Sequence, residues 1–454
     1  MQLKMIKNST QLTITTLITS TAVLFTQSIL TTHLTKHQYG QFQLILSWIA
    51  LLGFFSLNSF NTTVIRALAQ KYKVFFKSAS KLCFITSILG SVSLMVFGKI
   101  FESELFNLFI ISAFFFPLYS GLNLASSFYL GSSKLKKYSL LAISTQSIVS
   151  GMQILAVLLF KELYWLLFFT LFTASLINLG ITLQISSKIH QKKKENLNQI
   201  FIKYGFFLFG MNIFSSISSK LQYIILATLT GPSILAEYFI AQMMIDKLTG
   251  LIKSSLNPIT LYLAKQKKEQ NLYFFKNGFL LFIIYGMIIG IITIITIPAV
   301  IKVFFPNYMI STRYALALLP LLVLTPLNSI AQAIIVYQGY KRINTTINLS
   351  FNTIKIFLFL FTIPFWGVEG VIFSIVISTV IVAFFNLFFL SRELKKLMCN
   401  KKSKSVKRKE STLYTSTVNG QDIINAINSK YLSIKGDHSF LIKFVAKLSK
   451  TKFI

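Results

Sequence analysis

The chain has 454 residues, of which 54% are hydrophobic and 13% are charged, a composition that excludes an ordinary soluble domain. A formal net charge of +33 would indicate nucleic-acid binding in a soluble protein. Here the basic residues lie mainly between apolar runs, which is where membrane proteins carry them, so nucleic acid is not an expected partner.

Apolar runs of about 20 residues, the length that crosses the roughly 30 Å hydrocarbon core of a bilayer, recur along the whole chain. They predict an all-α polytopic membrane protein with about twelve transmembrane helices. The first run follows Lys4 and Lys7 and precedes no small-residue cleavage site, so we predict a retained helix rather than a signal peptide. The predicted spans are 11–32, 41–64, 82–98, 105–130, 139–160, 163–186, 204–229, 238–261, 277–301, 314–337, 343–364 and 369–390.

The loops between the spans assign a topology. If the N-terminus is cytoplasmic, it and the cytoplasmic loops carry 21 basic residues, whereas the outer loops carry 5. Because cytoplasmic loops are enriched in Lys and Arg, we predict that both termini lie in the cytoplasm. Every predicted outer loop is short, which leaves no room for an external catalytic domain.

A basic segment divides the spans into two groups of six. We predict an N-terminal half at 1–187, a basic cytoplasmic linker at 188–203 and a C-terminal half at 204–391. The segment 392–409 contains nine basic residues and few apolar ones. We therefore predict that 392–454 is a largely disordered cytoplasmic tail whose lysines attract anionic membrane lipids.

Charged and amide side chains inside the seventh and eighth spans predict a polar cavity between the halves. A charge that faces lipid at the centre of a span costs about 2.5–3.5 kcal/mol on insertion scales. Plotted at 100° per residue, Asp246, Lys253 and Asn257 fall within about 40° on the eighth span. Asn212 belongs to a polar face of the seventh span that Lys220 borders.

The eleventh span has a similar face, formed by Asn348 and Lys355. The three faces together predict a central, hydrated and mostly cationic cavity. Snorkelling to the interface is an alternative for Lys253, and many Ser and Thr residues of the spans serve as interhelical contacts instead. The candidate substrate-binding residues are Lys220, Lys253, Lys355, Asn212, Asn257 and Asn348, and the candidate ion-coupling residue is Asp246.

Arrangements of catalytic, metal-ligating or cofactor-binding residues are missing from the sequence. The four histidines do not cluster, and no zinc-ligand spacing, nucleotide-binding glycine loop or nucleophile elbow is present. Asp246 is the one acidic residue placed well inside a span. We therefore predict a protein that is not an enzyme and that uses no cofactor or metal.

Lys220 and Asp246 lie at matching depths on consecutive antiparallel spans. Each is eight or nine residues from the outer end of its helix, or about 12–14 Å at 1.5 Å per residue. Because an isolated charge is costly at this depth, we predict that the two side chains pair in one state of the protein. A static structural pair is the alternative.

Three short motifs carry a resemblance to a transporter family. They are Leu34-Thr-Lys-His-Gln-Tyr-Gly-Gln-Phe42, Ala236-Glu-Tyr-Phe-Ile-Ala-Gln242 and Trp366-Gly-Val-Glu-Gly370. With twelve spans in two halves, the chain resembles the polysaccharide-transporter branch of the multidrug/oligosaccharidyl-lipid/polysaccharide exporter superfamily. It is most similar to the O-antigen and capsule repeat-unit flippases, over about residues 8–395.

The resemblance implies a V-shaped fold in the bacterial inner membrane that works by alternating access. It implies an undecaprenyl-pyrophosphate-linked oligosaccharide repeat unit (O-antigen, capsule or exopolysaccharide) as substrate, with a polysaccharide polymerase and glycosyltransferases as partners. Many relatives have an Asp where Ser219-Lys220-Leu221-Gln222 stands here, so the coupling role of that Asp is not carried over. The alternatives are a cation-coupled multidrug antiporter of the same superfamily and a non-transporting membrane component of polysaccharide assembly.

Overall fold

Helices form all the regular secondary structure of the described residues, which confirms the predicted all-α class. The computed structural model describes residues 2–189, 195–263, 266, 268–337 and 340–413. Short 3₁₀ turns occur at Gly53–Ser56, Ser103–Leu105 and Pro306–Tyr308. The helices are α1 Gln2–His33, α2 Lys36–Leu52, α3 Phe60–Ala69, α4 Phe75–Phe101, α5 Phe106–Tyr119, α6 Ala125–Gly131, α7 Leu135–Phe160, α8 Leu163–Ser187, α9 Glu195–Thr230, α10 Pro232–Leu263, α11 Lys268–Phe304, α12 Ile310–Ala317, α13 Leu319–Tyr337 and α14 Lys341–Leu413.

Nine helical segments of the described ranges are long and apolar enough to cross a membrane. One of them, Ile343–Lys396, has 54 residues, about 80 Å of helix and more than twice the bilayer core, so it accounts for the last two predicted spans. Helix α10 is not among the nine, since its charged residues lower its hydropathy. A shorter apolar helix at Ser103–Tyr119 corresponds to the fourth predicted span.

The surface of these helices is the surface of a multi-pass membrane protein. Large apolar side chains stand exposed along them, such as Phe114 on α5 and Ile295 on α11, which are 72% and 71% exposed. Hydrocarbon solvates such side chains, whereas contiguous apolar patches of this extent are rare on soluble monomers.

Two breaks in the helices differ in how visible they are in the sequence. Helix α14 kinks at Gly367, whose φ of +53° lies in a region that favours glycine, three residues after Pro364. This break separates the two predicted spans 343–364 and 369–390. The single predicted span 41–64 is wrong in its continuity, because the chain turns at Leu57, with a φ of +50°, between α2 and α3.

The start of α9 is fixed by an aromatic core. This core lies at the end of the molecule that carries the basic loops. The ring centroid of Phe201 lies 5.3 Å from that of Phe75 on α4, and Phe75 packs at 6.3 Å from Phe60 on α3. All three side chains are buried. Helix α9 begins at Glu195, inside the predicted linker 188–203, and residues 190–194 lie outside the described part of the chain. The division into two halves and a linker stays a prediction.

The chain divides into two units, Met1–Ser391 and Arg392–Ile454, at the position where the apolar spans give way to the basic segment. Within the second unit the helix continues to Leu413, and the largely disordered tail predicted for 392–454 stays a prediction. An ion pair between Lys396 Nζ and Glu393 Oε1, 2.9 Å apart, lies on its first turns. Residues 414–454 lie outside the described part of the chain.

Candidate functional site

Three lysines from three helices surround one carboxylate inside the predicted spans. The carboxylate belongs to Asp246 on α10, and it interacts electrostatically with the ammonium groups of Lys220 on α9, Lys355 on α14 and Lys253 on α10. We call these four residues the charge cluster. It contains the ion-coupling candidate and all three of the lysines proposed from the sequence to bind substrate.

The exposure of the charge cluster indicates a narrow hydrated crevice. Asp246 and Lys253 are accessible to solvent, although surrounding protein partly desolvates the carboxylate, and Lys220 and Lys355 are half-buried. Because α9, α10 and α14 are apolar over most of their length, side chains of this charge would not be stable against lipid tails. We therefore interpret the exposure of these side chains as access to water from within the protein, and the hydrated cavity stays a prediction.

Aromatic rings hold the two half-buried lysines. The Nζ atom of Lys220 lies 5.4 Å from the ring centroid of Tyr223, one turn away on α9, and Nζ of Lys355 lies 5.3 Å from the ring of Phe359 on α14. Such cation–π contacts contribute about 0.5–2 kcal/mol each, depending on desolvation. Both ammonium groups therefore keep their positions without an ion-pair partner, and each stays available to an anion.

Two further side chains hold the carboxylate of Asp246 in place, and neither of them was predicted from the sequence. Gln242 Nε2 donates to Asp246 Oδ1 at 2.9 Å, and the hydroxyl of Tyr238 donates to Gln242 Oε1 at 3.2 Å. The three residues are spaced by four on α10, so they lie in one row along the helix. The spacing of four was the signal in the sequence that could have identified this row, because Tyr238 and Gln242 both belong to the motif that begins at Ala236.

The predicted asparagines lie at different places along the helices. Asn212 is exposed on α9, eight residues or about 12 Å from Lys220, and its Nδ2 donates to Ser59 Oγ at 3.3 Å. Asn348 Oδ1 accepts from Gln332 Nε2 at 3.4 Å. Asn257 is half-buried on α10, and its backbone carbonyl accepts from Thr260.

The polar bridge between α9 and α14 uses a different asparagine. Asn352 Oδ1 accepts from Ser218 Oγ at 2.6 Å, and Asn352 Nδ2 donates to the backbone carbonyl of Asn348 at 2.7 Å. Both Ser218 and Asn352 are buried. This bridge holds α14, and with it Lys355, against α9.

Lys220 and Asp246 do not form a direct ion pair in this structure. Within the described residues no ammonium nitrogen lies within 4.0 Å of the Asp246 carboxylate. The predicted pairing of Lys220 with Asp246 in one state of the protein stays a prediction. In the same residues no group of three or more His, Cys, Asp and Glu side chains is arranged to hold a metal ion.

An ion pair joins the two halves at the predicted outer end. Nζ of Lys36, at the start of α2, lies 2.6 Å from Oε1 of Glu237 on α10, and also 5.4 Å from the ring centroid of Tyr308. Burial, followed by the Glu237 carboxylate, raises the pKa of Tyr308, so its ring is the neutral phenol that attracts the ammonium group. Ser311 Oγ donates to the backbone carbonyl of Glu237 at 2.7 Å.

Close packing continues inward from this ion pair. Tyr39 is fully buried, and its ring packs edge-on against Phe239 and Tyr308 at 6.2 and 6.1 Å. A Cβ atom at Gly40 would come within 1.8 Å of the Pro232 carbonyl oxygen, so only glycine allows α2 to approach α10 this closely. We call Lys36, Tyr39, Glu237 and Tyr308 the latch, and it holds the halves in contact at this end.

Aromatic contacts connect the latch to the charge cluster. The ring of Tyr223, which lies against Lys220, is 6.0 Å from Phe239 and 5.8 Å from Tyr238. Phe239 in turn contacts Tyr39 of the latch, and Tyr238 begins the hydrogen-bonded row that ends at Asp246. The charged site and the closed end therefore share one contiguous set of side chains.

The sequence matches the family described as "Polysaccharide biosynthesis protein" over residues 5–261. No curated protein sequence matches the chain at a significant level.

Solved structures share the fold at low sequence identity. A multidrug resistance MATE family transporter of the MOP superfamily, in an outward-facing conformation, is 14% identical with a TM-score of 0.56, over 86% of this chain and 96% of that one. A MOP superfamily transporter from Pyrococcus furiosus, described by a reversed polarity of its binding pocket, is 14% identical with a TM-score of 0.59, over 86% of this chain and 96% of that one. The lipid II flippase MurJ, in an inward closed conformation, is 13% identical with a TM-score of 0.57, over 83% of this chain and 87% of that one. The chain has the fold of this group of transporters.

Proposed function

The chain belongs to the polysaccharide biosynthesis protein family, and on that basis we propose that it is a flippase for a lipid-linked oligosaccharide. The substrate we propose is an oligosaccharide repeat unit (O-antigen, capsule or exopolysaccharide) attached to undecaprenyl pyrophosphate. The observation that carries the proposal is the charge cluster, in which lysines of α9, α10 and α14 lie near the carboxylate of Asp246, and Asp246 and Lys253 are exposed.

The chemistry of this substrate matches the site. A pyrophosphate that bears sugars is too polar to cross hydrocarbon unaided. In the crevice, Lys220, Lys355 and Lys253 neutralise the phosphates, because neither cation–π partner competes for the charge. Amide and hydroxyl side chains such as Asn212, Asn257 and Asn348 bind sugar hydroxyls, while the polyprenyl chain stays in the bilayer.

The latch is the basis of the substrate movement that we propose. With Lys36 bound to Glu237 the halves touch at the outer end, and we propose that the substrate enters the charge cluster from the cytoplasmic side. Rocking one half against the other would separate these residues and open the opposite path, as in other transporters built from two similar halves. Substrate phosphate near Lys220 would release Asp246 to take up a proton or sodium ion.

The cellular setting is proposed from the same resemblance and from the basic loops. The protein lies in the cytoplasmic membrane of a bacterium with both termini inside. It hands its substrate to a polysaccharide polymerase after glycosyltransferases have assembled the repeat unit. It has no catalytic role of its own in this scheme.

A cation-coupled multidrug antiporter is the second candidate, because Asp246 is a carboxylate inside a span and one of the similar folds is that of a multidrug resistance transporter. Cationic drugs would be repelled by three lysines around one carboxylate. A non-transporting role is disfavoured by the accessible charges of the site.

Reconstitution distinguishes these candidates. Proteoliposomes containing the full chain are loaded either with a fluorescent undecaprenyl-pyrophosphate oligosaccharide or with ethidium under a proton gradient. We expect protein-dependent movement of the lipid-linked oligosaccharide and none of ethidium. Ethidium transport alone would establish the antiporter, and movement of neither would contradict both transport functions.

A further inference from the structure

A second cavity lies outside the charge cluster, between α4, α5 and α8, at the end that carries the basic loops. It has a volume of about 310 Å³. Its polar side contains Lys77, Lys81 and Ser80, and its apolar wall includes Phe84, Leu122 and Leu183. We call these six residues the lysine groove; none of them belongs to the charge cluster or to the latch.

The polar side of the lysine groove carries two positive charges that no carboxylate of the described residues neutralises. Lys77 and Lys81 are four residues apart on α4, so they lie on the same face of the helix. Lys77 Nζ donates to the backbone carbonyl of Ile189 at 3.0 Å, which leaves two of its three N–H groups. No carboxylate of the described residues comes within 4.0 Å of either ammonium nitrogen.

Ser80 adds an independent observation. It is 5% exposed, and its hydroxyl has no hydrogen-bond partner among the described residues. Buried hydroxyl groups without a partner are uncommon, because burial removes water without replacing its hydrogen bond. A ligand oxygen held between Lys77 and Lys81 would supply the missing acceptor after rotation of the Ser80 side chain toward the groove, because its hydroxyl oxygen is enclosed in this structure.

The opposite wall suits a hydrocarbon chain. Leu183 is 60% exposed on α8, at the outer surface of the helices, while Leu122 is buried at the back of the groove. An anion with an attached acyl chain satisfies both sides of the cavity. The volume is near the lower limit of about 300–1,000 Å³ for ligand pockets, so it fits a phosphate and the adjoining glycerol and methylene groups rather than a whole lipid.

We propose that the lysine groove binds an anionic phospholipid from the leaflet next to the basic loops. The phosphate lies between Lys77 and Lys81 and accepts from the Ser80 hydroxyl, and one acyl chain runs over Leu183 into the bilayer. Basic pockets between transmembrane helices at the cytoplasmic side recognise anionic headgroups in this way. The site is separate from the proposed substrate path, so it holds whether or not the protein is a flippase.

Native mass spectrometry of the full chain in detergent tests this site. The protein is titrated with phosphatidylglycerol or with phosphatidylcholine. The double variant K77Q/K81Q is expected to bind phosphatidylglycerol about 30-fold more weakly. One basic residue gains about 1 kcal/mol at an anionic surface, which is about fivefold in affinity, and the factors for the two lysines multiply. S80A should weaken binding about fivefold, and K77R/K81R should retain it.

Lys136 and Lys137, at the start of α7, provide the matched control, because they are exposed and lie on the same side of the membrane by sequence. K136Q/K137Q removes the same charge and should change the affinity less than threefold. Equal losses in the two double variants would show general charge attraction and overturn the site. Equal affinity of wild type and K77Q/K81Q would overturn it too.

Crosslinking separates a lipid from a free phosphate. A benzophenone amino acid in place of Leu183, irradiated in phosphatidylglycerol vesicles, is expected to capture a phospholipid, and this capture should fall in the K77Q/K81Q background. Excess glycerol phosphate, which has the headgroup and no acyl chain, should not reduce it. Competition by glycerol phosphate would assign a site for the phosphate group alone and contradict the proposal.

Discussion

Replacing Glu237 by Gln removes the charge from the latch and nearly preserves the shape of the side chain. Lys36 Nζ and Glu237 Oε1 are 2.6 Å apart, and their side chains are 38% and 11% exposed. An exposed pair contributes about 0.2–1 kcal/mol, whereas breaking a buried pair costs about 3–5 kcal/mol. Because Lys36 is more than a third exposed, we expect about 1–2 kcal/mol, a factor of about 5–30 in the equilibrium between closed and open ends.

Distances between spin labels measure this equilibrium. Cysteines for the labels replace His37 on α2 and Ile234 on α10, which lie beside the latch on opposite halves; His37 is exposed and Ile234 is 36% exposed. The buried Cys83 can remain, and the second cysteine of the sequence, Cys399, is replaced by Ser. We expect E237Q to shift population toward a longer distance, and the charge swap K36E/E237K to recover part of the short one.

The ion pair between Arg313 and Glu369 is the control. Its length is 2.7 Å, close to that of the latch pair, but its side chains are 77% and 63% exposed and both belong to the C-terminal half. E369Q should therefore leave the label distances unchanged. If E237Q opens the outer end no further than E369Q does, the latch does not hold the halves together, and the reasoning from its burial is refuted.

Three further predictions concern topology, backbone and the charge cluster. A cysteine at Lys99 should react with an impermeant maleimide from outside, and one at Lys136 only from inside; reversed labelling would overturn the assigned orientation. Gly367→Ala should lower stability by about 1 kcal/mol, seen as a lower Tm in detergent, because the φ of +53° is strained with a Cβ. Gly180→Ala, where the added Cβ meets nothing within 4 Å, is its control, and an equal Tm loss in both would contradict this reason. Gln242→Met removes the hydrogen bond to Asp246 and should slow transport about tenfold at unchanged protein level, since bonds to charged groups contribute about 1.5–3 kcal/mol; an unchanged rate would show that Gln242 does not position Asp246.

The sequence contained much of the fold because a bilayer restricts spanning segments to long apolar helices. Hydrophobic length therefore located most helices, and Pro364 with Gly367 marked the break in α14. The turn at Leu57 carried no such mark, since its left-handed backbone belongs to a buried leucine rather than to a glycine.

The charge cluster shows what a helical wheel can predict and what it cannot. The wheel placed Asp246 and Lys253 on one face of α10, and the structure places both near Lys220 and Lys355. A wheel gives a direction on one helix and no information on the neighbour in that direction. It therefore gave no way to expect that Asn212 faces Ser59.

The latch was beyond the reach of the single sequence for a similar reason. Lys36 and Glu237 are 201 residues apart, and nothing in the sequence indicates that the two side chains meet. Their partnership depends on how α2 packs against α10. That packing depends in turn on the close backbone approach at Gly40, which the sequence shows only as one glycine in a motif.

Transport rates of lysine variants test the central claim, that the charge cluster binds a pyrophosphate. Single variants of Lys220 and Lys355 to Arg and to Gln are reconstituted at equal protein level, and the movement of a fluorescent undecaprenyl-pyrophosphate oligosaccharide is followed. Arg should retain a substantial part of the rate, because it keeps the charge, and Gln should lose most of it. A wild-type rate in the double variant K220Q/K355Q would contradict the account.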